Sequence, residues 1–261
     1  MKEQDQMEEE WNERAKINPY HYISPFVDSW DKKSFYHWGE IEYENVIDPI
    51  LRLLRFGRKS NSSVLEIGCG PGRISRALSK RFDHVYAFDV SDRYIAQARE
   101  ENRDRKNITF AKNDGMHFPQ IAERSIDFVF SGWVFMHMPT SEVIWENVKD
   151  FARTLRVNGA YLVDFPAYKS QIDLSSIRGK MKMVPLGGDR MKSSETWIGA
   201  TVGKEELYSR LQVLGLTVNE RGIIDPQSRI RGKSKWGELV ARNQAKTWFY
   251  GRCNPPSGDT V

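Results

Sequence analysis

Short apolar runs alternate with segments of helical periodicity through the central part of the chain. Five runs have the length and composition of buried strands, at 63–67, 84–88, 108–111, 126–130 and 160–165. Between them, apolar residues recur every three or four positions, as at Ile74, Leu78 and Phe82, which is typical of a helix with one buried face. Strands separated by helices predict an α/β fold with a mostly parallel sheet and helices on both faces.

Capping signals mark the ends of several of these helices. Ser91 can cap the helix that follows the second strand, and Thr140 or Ser141 can cap the helix that follows the fourth. We expect the latter helix to stop at Asn158-Gly159, because these residue types readily adopt the left-handed conformation found after helix ends.

The regular alternation is flanked by segments of different character. Residues 1–60 are rich in aromatic and acidic residues, with helical spacing from about 41 to 54, which predicts a helical leader packed on the rest of the molecule. Residues 167–200 are polar, basic and glycine-containing, which predicts an insertion over the sheet edge. A helix through Leu207 and Leu211 and strand-like segments at 216–224 and 246–252 follow, with a second insertion at 226–245.

No compositional break is sharp enough to divide the chain into independent domains. We therefore predict a single domain, 1–261, that consists of an N-terminal helical cap (1–60), a central core (61–166), a lid or substrate insertion after strand five (167–200), and a closing helix and strand pair (201–261).

The composition is that of an ordinary globular protein, with 39% hydrophobic and 28% charged residues. The apolar runs are too short to span a bilayer, and the acidic start lacks the features of a signal peptide. Two cysteines suggest no disulfide or zinc framework. These features predict a cytoplasmic protein that does not enter a membrane, and homo-oligomers are compatible with them.

Local charge leaves two interpretations open. The formal net charge of +4 is too small to predict nucleic-acid binding by itself. Basic residues cluster within 178–192 and again within 229–235. These clusters are either solvated loops or the binding surface for a small-molecule substrate with an anionic group.

A glycine-rich turn joins the first strand to the first helix. Gly68, Gly70 and Gly72 give the spacing G-x-G-x-G, and Pro71 suits a first helical turn. The glycines let a ligand approach the backbone, and the carboxyl ends of parallel strands are where ligands bind in open sheets. Asp89 ends the second strand about 20 residues later, where an acid can hydrogen-bond a ribose. The spacing differs from the dinucleotide-binding pattern G-x-G-x-x-G.

Together these motifs resemble the class I S-adenosylmethionine (SAM)-dependent methyltransferases. The match includes E-x-G-x-G-x-G, the strand-end acid, Asn113-Asp114-Gly115 after strand three, the fourth strand at 126–131, and the L-R-V-N-G segment at 155–159. The resemblance covers 60–166 strongly and 200–252 as the closing elements. It implies a Rossmann-like sheet, an enzyme, and SAM as the cofactor bound by the core at 61–166.

The resemblance assigns a cofactor contact to each matched position. Gly68 and Gly70 are expected to border the methionine part of SAM, and Glu66 to support this loop and the amino group. Asp89 is expected to hold the ribose. The remaining expected contacts are Asp114 and Gly115 at the adenine, Ser131 and Gly132 at the sulfonium end, Cys69 and Val90 within the same turns, and Tyr22 of the leader at the methionine carboxylate. The alternative for Tyr22 is aromatic packing within a pair of leader helices.

His137 and Asp164 are the candidate catalytic residues. His137 lies in an aromatic–x–His–x–Pro segment just past the fourth strand, and histidine titrates near neutrality, so it can act as a general base. It can equally orient the loop or touch the cofactor. Asp164 ends the fifth strand and can act as a base or bind loop backbone. No metal-binding cluster is visible, which predicts a metal-independent transfer.

Three functions remain open at this stage. The leading hypothesis is methylation of a hydroxyl on a small molecule such as a sugar, a glycoside or another natural product. The second is N-methylation of a small amine or of RNA, although the motifs of DNA base methylation are missing after strand four and nucleic acid is not the expected partner. The third is a SAM-binding protein without catalysis.

Overall fold

The computed structural model describes residues 3–24, 30–57, 60–165, 167–168, 200–223 and 246–255. Nearly all of the expected insertion at 167–200 and the whole of the second insertion at 226–245 lie outside the described residues. Within the described ranges, no helix is long and apolar enough to cross a membrane.

One sheet of seven strands forms the centre of the molecule, in the order β3-β2-β1-β4-β5-β9-β8. Its strands are β1 (Ser63–Ile67), β2 (His84–Asp89), β3 (Ile108–Lys112), β4 (Ile126–Ser131), β5 (Leu155–Asp164), β8 (Asn219–Ile223) and β9 (Lys246–Arg252). The first five run parallel, and β9 pairs antiparallel with both β5 and β8. A second sheet pairs β6 (Ala167–Tyr168) with β7 (Val202–Gly203). The predicted α/β sheet and the closing strand pair are confirmed.

Helices cover both faces of the large sheet. They are α1 (Glu3–Ile17), α2 (Lys32–Glu42), a π-helical turn (Tyr43–Ile47), α3 (Asp48–Leu53), α4 (Arg73–Leu78), α5 (Asp92–Glu101), α6 (Ser141–Thr154) and α7 (Lys204–Val213). A short 3₁₀ turn, Phe135–His137, follows β4. Ser91 caps α5 by accepting from the Tyr94 N–H, and Thr140 caps α6 in the same way, as predicted.

Three predicted helix boundaries were wrong. The first core helix begins at Arg73 rather than Pro71, because Gly72 at its N-cap is left-handed, with φ of 85°. The helix after β4 ends at Thr154 and does not continue to Asn158-Gly159. Leu155 pairs with Ile126 at the start of β5, so long-range strand pairing ends this helix earlier than the local signal suggests. The helical leader segment begins at Lys32 rather than near 41.

The core lies on both faces of the sheet because successive strand residues point to opposite sides. On one face, Leu65, Val129 and Tyr161 pack with the apolar stripes of α6 and α7. On the other, Val64 and Phe128 pack with the π turn, α3, α4 and α5. The carboxyl ends of β1, β2, β4 and β5 lie at one edge of the large sheet, between the two layers of helices. Most of the predicted site residues lie at this edge.

Candidate functional site

The glycine turn after β1 is fixed against the end of β2. The backbone N–H groups of Gly68 and Cys69 donate to the Phe88 carbonyl at 2.8 and 2.9 Å. Gly68 and Gly70 have φ of 74° and 51°, which a side chain would strain. Val134 packs directly on Gly68, and Ile23 of the leader packs on Gly70, so the turn is enclosed by two other segments of the chain.

Asp89 joins this turn to the start of α5. One carboxylate oxygen accepts from the Gly70 N–H at 2.8 Å, and the other accepts from the Ser91 N–H at 2.9 Å. Burial raises the pKa of Asp89 to about 6, although the backbone N–H groups oppose that rise. The structure therefore places Asp89 beside the glycines, as the sequence predicted. Its contact with a ribose stays a prediction.

Glu66 lies below the turn and faces α4. Its carboxylate accepts from the Ser75 hydroxyl at 2.5 Å, and burial raises its pKa to about 8. Arg73, the first residue of α4, forms a buried ion pair with Glu42 of α2 at 2.6 Å. These contacts suit a role for Glu66 in supporting the turn. Its expected contact with the cofactor's amino group stays a prediction.

The predicted adenine side is formed by the turn after β3. Asp114 is exposed and accepts from the N–H groups of Met116 and His117 and shares a hydrogen bond with the His117 ring at 2.7 Å. Gly115 has φ of 82°, and Met7 of α1 packs against it. Val90 lies beside the same glycine. The turn after β3 thus lies against α1 and Val90, and the adenine contacts of Asp114 and Gly115 stay predictions.

The segment after β4 lies next to the glycine turn, because Val134 packs on Gly68. The Ser131 hydroxyl donates to the Ile67 carbonyl at 3.1 Å and ties β4 to the end of β1. Gly132 lies against Phe130 and Trp248. These contacts place the expected sulfonium-end residues next to the glycine turn, although a Ser131 or Gly132 contact with the cofactor stays a prediction.

Asp164 hydrogen-bonds the backbone of Trp133, the residue that follows Gly132. Both of its carboxylate oxygens accept from the Trp133 backbone N–H, at 2.9 and 3.0 Å. Trp133 is left-handed, with φ of 68°, which is uncommon for a residue with a side chain. Of the two roles open from the sequence, the geometry thus favours loop binding over base catalysis for Asp164.

His137 lies in the 3₁₀ turn, where the loop meets α1. Its ring stands edge-on to the Trp11 ring, with centroids 5.2 Å apart. Its N–H donates to the Val134 carbonyl at 2.8 Å, and Val134 itself packs on Gly68. The predicted base is therefore close to the cofactor turn and covered by the leader.

The leader closes over the site through contacts that the sequence did not reveal. The side-chain amide oxygen of Asn12 in α1 accepts from the Ser91 hydroxyl at 2.7 Å and from the Arg93 N–H at 3.3 Å. Glu101 of α5 accepts from the Tyr20 and Tyr36 hydroxyls at 2.6 and 2.8 Å. Only the density of aromatic residues in the leader hinted that it packs on the core.

Tyr22 is placed beside this site, with its hydroxyl buried and without a hydrogen-bond partner among the described residues. Arg14 and Tyr94, which the sequence analysis did not single out, are buried nearby. The helical spacing after Ser91 places Tyr94 on α5, but the sequence analysis assigned neither Arg14 nor Tyr94 a contact with the cofactor.

The arrangement fits SAM. Two left-handed glycines allow close approach to the backbone, Asp89 can accept from hydroxyl groups, and a buried phenol faces the site without a partner. Among the described residues, no three His, Cys, Asp or Glu side chains come together as a metal-binding set.

Comparison with known proteins agrees with this assignment. Residues 64–159 match the family model described as a methyltransferase domain. Phosphoethanolamine N-methyltransferase 1 of Triticum aestivum is 40% identical over 87 residues, which are 32% of this chain and 17% of that protein. This chain therefore matches only a small part of that relative's length.

Solved structures share the fold over nearly the whole chain. Phosphoethanolamine N-methyltransferase 1 of Haemonchus contortus, solved with phosphoethanolamine and S-adenosylhomocysteine, aligns with a TM-score of 0.62 and 16% identity over 98% of this chain and 50% of that one. Geranyl diphosphate C-methyltransferase of Streptomyces coelicolor A3(2) has the same TM-score at 12% identity, over 97% and 98% of the two chains.

These matches confirm the predicted family resemblance and the Rossmann-like fold. The first of these two enzymes is named as an N-methyltransferase of phosphoethanolamine, and the second as a C-methyltransferase of geranyl diphosphate. The shared fold therefore does not determine which atom accepts the methyl group. Residues 64–159 therefore match a methyltransferase domain, and the chain shares its fold with two methyltransferases that were solved with S-adenosylhomocysteine.

Proposed function

We propose that this protein transfers the methyl group of SAM to the nitrogen of a small amine that carries a phosphate group. The observation that supports this choice is the similarity to phosphoethanolamine N-methyltransferases from several organisms. It favours the second of the functions considered from the sequence over the hydroxyl acceptor that the sequence analysis placed first.

The enclosure of the site supports a small acceptor. Ile23 of the leader and Val134 of the loop after β4 pack on the glycine turn, and Trp11 of the leader packs on His137. A nucleic acid would need a more open surface, because its phosphates and bases are gripped over several nucleotides.

The reaction requires that the acceptor nitrogen and the methyl group of SAM be aligned and that the amine lose one proton. SAM supplies an electrophilic methyl group on its sulfonium. The nitrogen lone pair forms the new N–C bond as the C–S bond breaks, and S-adenosylhomocysteine leaves. An alkyl amine is mostly protonated at neutral pH, since amines of this kind titrate near pH 10. A base must therefore take a proton from the ammonium group, and we assign that role to His137.

A matched set of acceptors tests the substrate class. Phosphoethanolamine, ethanolamine and 2-hydroxyethyl phosphate differ by one functional group at a time. We expect S-adenosylhomocysteine formation with phosphoethanolamine and a methylated amine in the product by mass spectrometry. Turnover should be much lower with ethanolamine, which lacks the phosphate, and with 2-hydroxyethyl phosphate, which lacks the amine. Faster turnover of the hydroxyl compound would overturn N-methylation, and cofactor binding without turnover of any acceptor would support a non-catalytic protein.

The His137→Ala variant tests the assigned base. We expect the single-turnover rate to fall by about 10²- to 10⁴-fold with little change in S-adenosylhomocysteine affinity. His84→Ala is the matched control, because His84 starts β2 at the opposite end of the sheet and hydrogen-bonds Thr109. If His137→Ala loses cofactor affinity in step with rate, His137 belongs to the cofactor pocket and is not the base.

A further inference from the structure

Glu101, the last residue of α5, binds two tyrosines from separate parts of the leader. One carboxylate oxygen accepts from the Tyr20 hydroxyl at 2.6 Å, and the other accepts from the Tyr36 hydroxyl at 2.8 Å. Burial and the neighbouring carboxylate raise the pKa of both phenols, so both hydroxyls keep their hydrogens at neutral pH. Hydrogen bonds to a charged acceptor are strong, so this carboxylate holds both side chains in defined positions.

Tyr36 connects Glu101 to the glycine turn. Its hydroxyl also lies 2.8 Å from the carbonyl oxygen of Pro71, the residue directly after Gly70. The Asn102 amide donates to the Tyr36 hydroxyl and to the Pro71 carbonyl, at 3.2 Å each. The hydroxyl has a single hydrogen, so Asn102 keeps the Pro71 carbonyl paired whenever that hydrogen is donated to Glu101.

Tyr20 connects Glu101 to a second contact of the same turn. The Tyr20 carbonyl accepts from the Ser24 N–H at 3.0 Å, so the chain from 20 to 24 is folded into a compact turn. Ile23 lies within that turn and packs on Gly70. The bond between Tyr20 and Glu101 therefore helps to set where Ile23 lies against the glycine.

Both connections reach the expected ribose acid through Gly70. The Gly70 N–H donates to the Asp89 carboxylate at 2.8 Å. Helix α5 has 10 residues, so its rise places Glu101 roughly 15 Å from the Ser91 cap beside Asp89. That separation is too large for Glu101 to touch a ribose bound at Asp89, and its influence on the turn has to pass through the two tyrosines.

We propose that Glu101 is a positioning residue for the methyl donor, which holds the leader and the glycine turn in the arrangement that binds SAM. It acts through Tyr20 and Tyr36 and does not contact the ligand. The role depends on hydrogen-bond geometry and not on the negative charge, because the groups that it holds are neutral hydroxyls. This inference rests on SAM as the cofactor of the proposed function and is independent of the acceptor.

Glu101→Ala removes both hydrogen-bond acceptors and tests this role in the full chain. Calorimetry measures the affinity for S-adenosylhomocysteine, and initial rates with phosphoethanolamine give kcat and the KM for SAM. We expect the affinity to fall by about 10-fold and the KM for SAM to rise equally. The kcat should change by less than about threefold, because the assigned base lies on a different loop, after β4.

Glu101→Gln tests whether the conservative side chain restores binding. Its amide oxygen can accept from Tyr20, and its amide nitrogen can donate to the Tyr36 oxygen, which leaves the Tyr36 hydrogen for Pro71. This variant should stay within about threefold of the wild-type affinity. Glu100→Ala is the matched control, since Glu100 is an exposed neighbour in a surface ion pair with Arg103, and it should change neither the affinity nor the KM.

The tyrosine variants show whether the effect passes through the two hydroxyls. Tyr20→Phe and Tyr36→Phe each delete one hydroxyl and keep the ring, and each should weaken S-adenosylhomocysteine by about 3- to 10-fold. Either change combined with Glu101→Ala should be no weaker than Glu101→Ala alone, because the same hydrogen bond is already lost. The single tyrosine variants and Glu101→Gln also carry the test if Glu101→Ala does not fold.

The remaining outcomes separate this inference from the proposed function. Failure of the wild type to bind S-adenosylhomocysteine would overturn both. Binding without turnover of phosphoethanolamine would overturn the proposed function alone, and the affinities of the variants would still test Glu101. Lower urea midpoints with unchanged affinity in the Ala and Phe variants would show a purely structural role and overturn the inference. Equal losses in Glu101→Gln and Glu101→Ala would assign the effect to charge and would also overturn it.

Discussion

The pairing of Trp133 with Asp164 makes a prediction at the scale of single residues. Left-handed backbone at a residue with a side chain costs about 1–2 kcal/mol, and here the Asp164 carboxylate holds the N–H of that residue. We expect Asp164→Ala to lower the free energy of unfolding by about 1–3 kcal/mol and to slow methyl transfer by loosening the loop that carries His137. Urea unfolding and single-turnover rates measure the two effects.

The Asp164→Asn variant distinguishes the two roles of this residue. An amide oxygen still accepts a hydrogen bond but cannot take up a proton, so a positioning role predicts that Asn restores most of the stability and rate lost in the Ala variant. If the Asp164→Asn variant is as inactive as the Asp164→Ala variant but recovers the free energy of unfolding, Asp164 acts as a base.

Asp89 gives a second prediction at this scale. Because burial raises the pKa of Asp89 from 3.8 to about 6, its carboxylate gains a proton as the pH falls through 6 and becomes a poorer acceptor for ribose hydroxyls. We expect S-adenosylhomocysteine affinity to decrease below pH 6. Asp89→Asn should be about 10- to 100-fold weaker at pH 7.5 and should lack this pH dependence. Calorimetry from pH 5 to 8 measures the affinity of both proteins for S-adenosylhomocysteine. If the affinity of the variant depends on pH in the same way as that of the wild type, Asp89 is not part of the site.

At the scale of whole elements, Asn12 links α1 to the start of α5. Its side chain accepts from the Ser91 hydroxyl and the Arg93 N–H at the start of α5. The sequence predicted an N-terminal helical cap at 1–60 and a lid or substrate insertion at 167–200, and the insertion lies almost wholly outside the described residues. We therefore propose that α1, without the insertion, acts as a lid over the site.

Hydrogen exchange tests that role. S-adenosylhomocysteine should increase amide protection in α1, because a bound ligand favours the closed leader. Asn12→Ala should speed exchange in α1 without changing the core strands, whereas Glu13→Ala, at an exposed position on the same helix, should not. Equal protection of α1 with and without ligand would exclude the lid.

The accuracy of the sequence predictions also varies by element. The strands of the parallel core and the caps at Ser91 and Thr140 could be predicted, because burial patterns and side-chain caps depend on neighbouring residues. The end of α6 could not, since it depends on the pairing of Leu155 with Ile126 in another strand. The π turn at Tyr43–Ile47 has no signal in the spacing of apolar residues that separates it from an ordinary helix.

At the scale of the molecule, the predicted site residues come from separate strands and meet because the sheet is parallel. Asp89 and Ser131 end their strands and Glu66 is the second-last residue of the strand between them, so their proximity follows from the motif order and the fold. Arg14, Asn12 and Tyr94 could not be found in this way, because their places depend on how the leader folds back onto α5.

The buried carboxyl of Glu66 makes the stability of the whole molecule depend on pH. Its folded pKa of about 8 lies above the ordinary value of 4.5, so between these values the folded chain keeps a proton that the unfolded chain has lost. The resulting contribution is complete below pH 4.5 and is lost as the pH rises through 8. Without cofactor, the wild type should therefore lose stability from pH 6 to 8 by up to about 1.4 kcal/mol per pH unit.

Urea midpoints of matched variants check this dependence. Glu66→Gln stays neutral at every pH and should show a distinctly shallower decline than the wild type. Glu100→Gln, which changes an exposed carboxyl on α5, should follow the wild type. Parallel declines in all three proteins would show that Glu66 is ionised in the folded state throughout this range.

The position of β9 between β5 and β8 has a consequence for synthesis on the ribosome. β5 is translated by residue 164, but the strand that covers its free side is complete only at residue 252. At about 5–20 residues per second, the nascent chain waits roughly 5–20 s with an unpaired interior strand edge exposed. During that interval the emerging protein offers an open β edge to other chains, so codon usage and chaperone access between these two strands should influence how much of it reaches the folded state.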